Sequence, residues 1–426
     1  MISRPAEPTP PDGLTAVTIE DITLWPMAPG SSHSDLRYVL DPKFGRPFAH
    51  LRFRKRRLDT ASYTAPPSGA RGREVMGTAL YGGVIFNQFG HFIAESLHRL
   101  WALQTNPSLQ AVPIIYHTAG RRLIRDAQYA DWMLQIFALL QIDTSRIILV
   151  EEPMTFERLV VPQQGSQLGL GPVTPDYRSL FPPPRGNAAA DAGEEPQRLY
   201  VSRSKFLHGG SYLGEPLVEE VLARDGGFRI LHPQDNPIAD VVQLLEAAHT
   251  AVFVEGSALH FLELCRKTPR NIFVIGRRRQ NAFQGYFDAM VRKAAANVVL
   301  QPVVETLIPL EWMPRRGQPA GQNAPALVDL RDLLQNLSRF CGASLQAPND
   351  LDIRRAQALS LLQVIIDTRS TSSRTPMETL GRLLIDLRRQ VNRLDFLPWP
   401  PSPVAEEAIW TGDDGGGGDD HDVAAA

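Results

Sequence analysis

Short β-branched apolar runs alternate with stretches of helical periodicity from Ala16 to Pro302, and this alternation limits the fold more than any other property of the chain. The runs AVTIEDITLW, YGGVIFN, VPIIYH, RIILV, RLVVP, RLYVS, FRILHP, TAVFVEG, NIFVIG and NVVLQP read as strands. Helix candidates lie between them, at Phe92 to Gln104, Ile124 to Leu140, Pro216 to Asp225, Ala239 to His249 and Ser257 to Arg266. Strands alternating with helices of this length imply parallel βαβ layers covered on both faces, so the expected class is α/β.

The alternation fails once, in GLGPVTPDYRSLFPPPRGNAAADAGEEPQ, where proline and glycine crowd and no period survives. That break reads as a hinge between two α/β domains. After Pro302 come three helical patterns, PALVDLRDLLQNLSRF, DIRRAQALSLLQVIID and METLGRLLIDLRRQVNRL, and then a tail, GDDGGGGDDHDVAAA, with no core-forming content. The expected division is a disordered N-terminus (1–15), a first α/β domain (16–180), a linker (181–197), a second α/β domain (198–302), a helical extension (303–400) and a disordered tail (401–426). A chain of 426 residues, 43% of them hydrophobic, is long enough for two such cores.

Lysine plus arginine (44) against aspartate plus glutamate (46) gives a net charge of −2, so nothing in the bulk charge points to a nucleic-acid or membrane-surface partner, and any charged ligand must be handled locally. Cys265 and Cys341 cannot build a disulfide framework or a thiolate zinc site, which fits a reducing, cytoplasmic compartment. The opening MISRPAEPTPPDG lacks the apolar core of a signal peptide. No apolar run approaches the roughly 20 residues that span a bilayer, so no transmembrane segment is expected, which leaves room for peripheral association with a membrane.

Two stretches carry chemistry. In NQFGHFIAESLHRLWAL, from Asn87 to Leu103, His91, Glu95 and His98 are spaced by four and three, so a regular helix projects all three from one face. That pattern suits a metal site, a catalytic base with its orienting partners, or buried polar residues satisfied by neighbours. In HTAVFVEGSALHFLELCR, Thr250 to Val254 read as a buried strand, Glu255-Gly256 as a tight turn, and Ser257 as the N-cap of a helix. Backbone N–H groups from Gly256 to Ala258 and the helix dipole would then form an anion site at the carboxyl edge of a parallel sheet. Arg203 and Lys205, at the end of RLYVSRSKF, add two cations at the same edge, and His260 lies one turn inside the helix.

Other chemistries lack their patterns. Asp350-Leu351-Asp352 starts a helix and reads as capping rather than as a divalent-cation motif. Glu95-Ser96-Leu97-His98 and Glu246-Ala247-Ala248-His249 have di-iron spacing, but that site needs four bundled helices and two further carboxylates. GLGPVTPD opens no helix, as a dinucleotide fingerprint must, and Gly-x-Ser-x-Gly is absent.

GHFIAESLHRLWAL, RLYVSRSK, LLEAAHTAVFVEGSALHFLELCR and NIFVIG, in this order between Tyr81 and Gly276, resemble the bacterial branch of glycosyltransferase family 61. The resemblance implies a GT-B-like architecture, two Rossmann-like domains facing a cleft, here followed by the C-terminal helical extension. It implies an inverting, metal-independent transfer from a nucleotide-sugar, a UDP-sugar in characterised relatives, to a hydroxyl of a saccharide or lipid-linked acceptor. The setting is bacterial surface or exopolysaccharide synthesis, with no cofactor. Many relatives carry Gly-Pro-His or Gly-Pro-Glu before the Gly-Ser/Ala turn, where this chain has FVEGSALH.

On that reading Glu95 is the general base, or orients His91 in that role. Arg203, Lys205, Glu255, Gly256, Ser257, Ala258 and His260 bind the donor, and Asn87, Gly90 and Arg99 lie on the acceptor side. A structural Glu95–Arg99 pair is the competing explanation for the carboxylate, and satisfied burial the competing one for His98 and Arg99. Rival functions on the same architecture are a sugar-nucleotide epimerase or hydrolase and a non-catalytic sugar-nucleotide-binding protein.

Overall fold

A computed structural model of the chain describes residues 2–3, 14–26, 53–54, 57–58, 72–119, 128–169, 171–172, 175–184, 197–206, 210–277, 287–302, 304–307 and 325–370. The third C-terminal helix expected at METLGRLLIDLRRQVNRL, the tail, most of the linker and nearly all of the N-terminal segment lie outside the described residues.

Every apolar run forms a strand, and the strands build two large sheets. The first contains β1 (Ile2–Ser3), β2 (Ala16–Leu24), β3 (Arg73–Phe86), β4 (Ile114–Ala119), β5 (Ile147–Leu149) and β6 (Met154–Pro162), in the order β1-β2-β6-β3-β4-β5. Strands β6, β3, β4 and β5 run parallel, but β2 is antiparallel to β6 and β1 to β2. The expectation of purely parallel layers therefore fails at one edge. Along β2, Ile19, Ile22 and Leu24 are buried while Glu20 and Asp21 are exposed, the half-solvated pattern that an antiparallel edge tolerates. The second sheet contains β7 (Gln197–Val201), β8 (Phe228–Leu231), β9 (Ala248–Val254), β10 (Asn271–Gly276) and β11 (Asn297–Pro302), all parallel, in the order β8-β7-β9-β10-β11. The order reverses between β7 and its neighbours, and such a switch point opens a crevice at the carboxyl ends of the strands.

The helices between the sheets bury their apolar faces in one common core. Leu80, Phe92, Trp101 and Phe137 from the first half pack in the same cluster as Val241, Leu262 and Val274 from the second. Helix Asp131–Leu139 meets helix Ile238–Ala247, where the Ile238 N–H donates to Gln135 Oε1 at 2.9 Å. Phe89 and Phe261 bring their rings to 5.1 Å across the same seam. On the far side of the second sheet, Leu330, Leu333 and Leu337 of helix Leu330–Cys341, with Ile353 of helix Asp350–Ser370, cover Tyr200, Val252 and Phe273. These C-terminal helices thus brace the second half. The Asp352 N–H donates to Asn349 Oδ1 at 2.9 Å while Asn349 Nδ2 donates to Asp352 Oδ2 at 2.8 Å, a reciprocal cap at the start of the last described helix. No helix among the described residues is long and apolar enough to cross a membrane.

A shared core has a measurable consequence. Tryptophan fluorescence and far-UV circular dichroism should report one coincident urea transition for both halves, and Phe92→Ala should lower its stability by about 3–5 kcal/mol. Two separated transitions would overturn the shared-core description.

Candidate active site

Strand β3 ends at Phe86, and Asn87-Gln88 turn the chain into a helix that is not regular. Phe89–His91 is α-helical, Phe92–Ser96 is a π turn, residues 97–100 form turns, and α-helix resumes at Trp101–Thr105. The expected continuous helix from Phe92 to Gln104 is therefore broken, and hydrogen bonds to the sheet accompany the break. Ser96 Oγ accepts the Phe86 N–H at 3.1 Å, Tyr116 OH donates to the Ser96 carbonyl at 2.8 Å, and Trp101 Nε1 donates to the Gln163 carbonyl at 2.8 Å. Helices interrupted by a π turn are frequent at functional sites.

The break corrects the expectation that three polar side chains share one face. His91 Nδ1 and Glu95 Oε2 are hydrogen-bonded to each other, both residues being buried. His98 lies beyond the break, where Nδ1 meets Tyr177 OH at 2.6 Å and Nε2 lies 3.1 Å from Glu263 Oε2. Arg99 is 1% exposed, donates to the Pro162 carbonyl, and sits 5.6 Å from the Tyr81 ring centroid. Burial pulls its guanidinium down to about 10.

In the second half, the carboxyl ends of the adjacent strands β7, β9 and β10 deliver Arg203, Glu255-Gly256 and Arg277. The Arg203 guanidinium lies against Gly256, where an added Cβ would come within 2.4 Å of Nη1. Gly256 has φ 165°, extended backbone open to any residue, so the glycine is required for room and not for its torsion. Arg277 Nε donates to the Glu255 carbonyl at 2.7 Å, and its N–H donates to Glu255 Oε2 at 3.1 Å. Lys205 reaches outward to a half-exposed salt bridge with Asp235. Ser257 is not an N-cap: Gly256 holds that position without a side-chain hydrogen bond, and it leads into one 3-10 turn (Ser257–His260) and one α turn (Phe261–Leu264). The expected helix to Arg266 is cut short, so a dipole contributes little here and the arginines dominate the positive potential. Ala258 is half-buried on the 3-10 turn, and Asn87 is half-buried on the loop of the first half.

The two stretches meet directly. A Cβ on Gly90 would lie 3.1 Å from His260 Cδ2, 3.3 Å from Ser257 Cβ and 3.5 Å from His260 Nε2. The helix that carries His91 and Glu95 is thereby set against the turn that carries Gly256 and His260. Beneath this contact, Glu263 gathers both halves. Its Oε1 accepts from His260 Nδ1 at 2.7 Å, and its Oε2 accepts from Ser166 Oγ at 2.7 Å beside His98. Burial alone would raise the Glu263 carboxyl, but the hydrogen bonds of His260 and His98 outweigh it and hold the group well below the usual carboxylate range. Among the described residues, no three His, Cys, Asp or Glu side chains converge as a metal site requires.

Sequence reasoning missed Glu263, Arg277 and Glu215. Arg277 had a signal, since it immediately follows NIFVIG at the same sheet edge as Arg203. Glu263 had a weaker one, its i,i+3 spacing from His260. Glu215 had none; it starts helix Glu215–Gly226 and accepts the Arg203 N–H at 2.7 Å, Tyr200 OH at 3.1 Å and Ser202 Oγ at 3.2 Å.

Burial pushes the Glu215 carboxyl up to about 7, against the opposing hydrogen bond from the Arg203 N–H. A carboxyl raised in the folded state binds protons that the unfolded chain has released, so its stabilising contribution is complete below the ordinary carboxylate range and fades as pH rises through about 7. Wild type should lose stability relative to Glu215→Gln between about pH 5 and 8, by on the order of 2 kcal/mol, in denaturation at several pH values. Parallel pH profiles for the two proteins would refute that account of Glu215.

No curated protein matches the chain. Residues 89–271, from the start of the broken helix to the first residue of β10, match the family model described as Glycosyltransferase 61, and with that domain the chain is a glycosyltransferase.

Proposed function

We propose that the chain is an inverting, metal-independent glycosyltransferase of GT-B form that moves a sugar from a UDP-sugar to a hydroxyl of a saccharide or lipid-linked saccharide. On this reading the donor is bound by the half spanning 198–302 and the acceptor by the half spanning 16–180. The observation that carries it is the contact of Gly90 with Ser257 and His260, which sets a buried imidazole–carboxylate pair beside an arginine-backed turn at a sheet's carboxyl edge. Transfer needs both parts: a base for the acceptor and positive charge for the leaving diphosphate.

The acceptor oxygen attacks the anomeric carbon from the face opposite the diphosphate, and its proton passes to the His91–Glu95 pair. The bond from the anomeric carbon to the diphosphate oxygen breaks with its electron pair, and the oxygen's new charge develops beside Arg203. Arginine takes the place that a divalent cation fills in metal-dependent transferases, because a guanidinium offers two parallel N–H donors to phosphate oxygens. The cellular setting we propose is the cytoplasmic face of bacterial surface-polysaccharide synthesis.

Four measurements test this reading. Glu95→Gln keeps the shape of the side chain and removes its basicity, so kcat should fall by roughly 10²- to 10⁴-fold while UDP affinity stays within about two-fold. Arg203→Ala should weaken UDP binding about ten-fold or more in calorimetry and lower turnover with it. Transfer should survive excess EDTA; a loss restored by manganese or magnesium would overturn metal independence. Wild-type turnover in both Glu95→Gln and His91→Ala would remove the base from this helix.

A further inference from the structure

His260 and Glu263 form a second imidazole–carboxylate pair, on the opposite side of the junction from His91 and Glu95. His260 is 4% exposed, and its ring is fixed on three sides. Nδ1 is 2.7 Å from Glu263 Oε1, the Phe287 ring packs at 5.2 Å, and the Cδ2–Nε2 edge lies against the Gly90 backbone. Nε2 makes no hydrogen bond to a described residue and lies beside Gly90, on the turn that also carries Ser257 and the Arg203-backed Gly256. Glu263 is itself immobilised, since Ser166 and His98 of the other half engage its second oxygen. Such an arrangement fixes which ring nitrogen meets the carboxylate and which one meets a ligand.

We propose that Glu263 is a positioning residue that holds His260 by Nδ1–H so that a protonated Nε2 donates to a phosphate oxygen of the leaving diphosphate, which makes His260 a catalytic residue of the transfer. The inference rests on the nucleotide-sugar reading above. In the transfer step the bond from the acceptor oxygen to the anomeric carbon forms and the bond from that carbon to the phosphate oxygen breaks, the electron pair leaving on the phosphate oxygen. The acceptor's proton goes to the His91–Glu95 pair. The proton on Nε2, taken from solvent when the diphosphate binds, is shared with the departing oxygen. Charged groups around the ring are Glu263 below it, His98 behind that carboxylate, the His91–Glu95 pair across Gly90, and Arg203, Glu255 and Arg277 at the turn. Two cations among them already favour an anion there. The ring adds a directional donor, and Glu263 fixes its direction.

The test uses the full chain carrying 15N-labelled histidine, titrated with UDP and, separately, with inorganic pyrophosphate. The His260 Nδ1 resonance should report a bound proton throughout, and the Nε2 resonance should move to the protonated position on addition of either probe. In Glu263→Gln that movement should be lost. With an active nucleotide-sugar, kcat should fall by roughly 10- to 100-fold at nearly unchanged KM. His260→Asn should lose as much, and the double variant should lose no more than either single one. UDP that binds without moving either His260 nitrogen overturns the proposal while leaving the nucleotide-sugar reading intact, as do additive losses in the double variant. If no member of a panel of nucleoside diphosphates binds at all, the nucleotide-sugar reading falls, and this proposal with it. The wild-type titration decides the question even if Glu263→Gln fails to fold.

Discussion

The bare backbone at Gly90 is the constraint on which the site depends. A Cβ there would lie 3.1 Å from His260 Cδ2 and 3.3 Å from Ser257 Cβ, so even alanine would make the seam give by a few tenths of an ångström, and a longer side chain would press the His91–Glu95 helix further from the turn at Gly256. Gly256 repeats the device with the Arg203 guanidinium as the neighbour. Neither glycine has a left-handed backbone: Gly90 is helical and Gly256 extended. Both serve by what they lack: each admits a neighbouring side chain within contact distance.

An apolar core shared between the halves keeps that contact in register. Phe89 on Phe261 and the packing of Asp131–Leu139 on Ile238–Ala247 fix how the halves sit, and the buried polar cluster specifies the fit more finely. Glu263 in such a seam would be costly alone, because an ionised carboxylate away from water destabilises by several kcal/mol unless it is paired and hydrogen-bonded. Its partners come from both halves: His260 from its own, Ser166 and His98 from the other. Separating the halves would strip two of these partners, so the cluster resists sliding as well as opening.

How far the sequence was legible depends on the range of the forces involved. The ten apolar runs were readable as strands because a buried strand is a local apolar run, and the carboxyl ends of two of them put Arg203 and Gly256 on one edge. The antiparallel attachment of β2 was not, since pairing partners far apart in sequence leave no local mark. The break after Ser96 escaped because a hydrogen bond from a strand end overrides helical periodicity, and with it went the idea that His91, Glu95 and His98 share a face. The helix after Gly256 was overestimated for the opposite reason: SALHFLELCR has helical periodicity, but the chain leaves the helix at Cys265 to reach β10. Glu263 was missed because a lone glutamate in HFLEL reads as a solvated position, and its burial is caused by Ser166, roughly a hundred residues away in sequence.

Two imidazole–carboxylate pairs at one junction pose a question of division of labour, and their surroundings answer it. A carboxylate acts as a base only if taking a proton costs it little. Glu263 has both oxygens engaged, by His260 on one side and by Ser166 and His98 on the other, and these contacts hold its carboxyl well below the usual range, so protonating it would sacrifice several contacts at once. That is the environment of a residue that orients and does not titrate. On the proposed reading, the acceptor's proton then goes to the His91–Glu95 pair. Groups of the same type take different roles when their environments differ, and the donors gathered on both Glu263 oxygens mark that carboxylate as the one that orients.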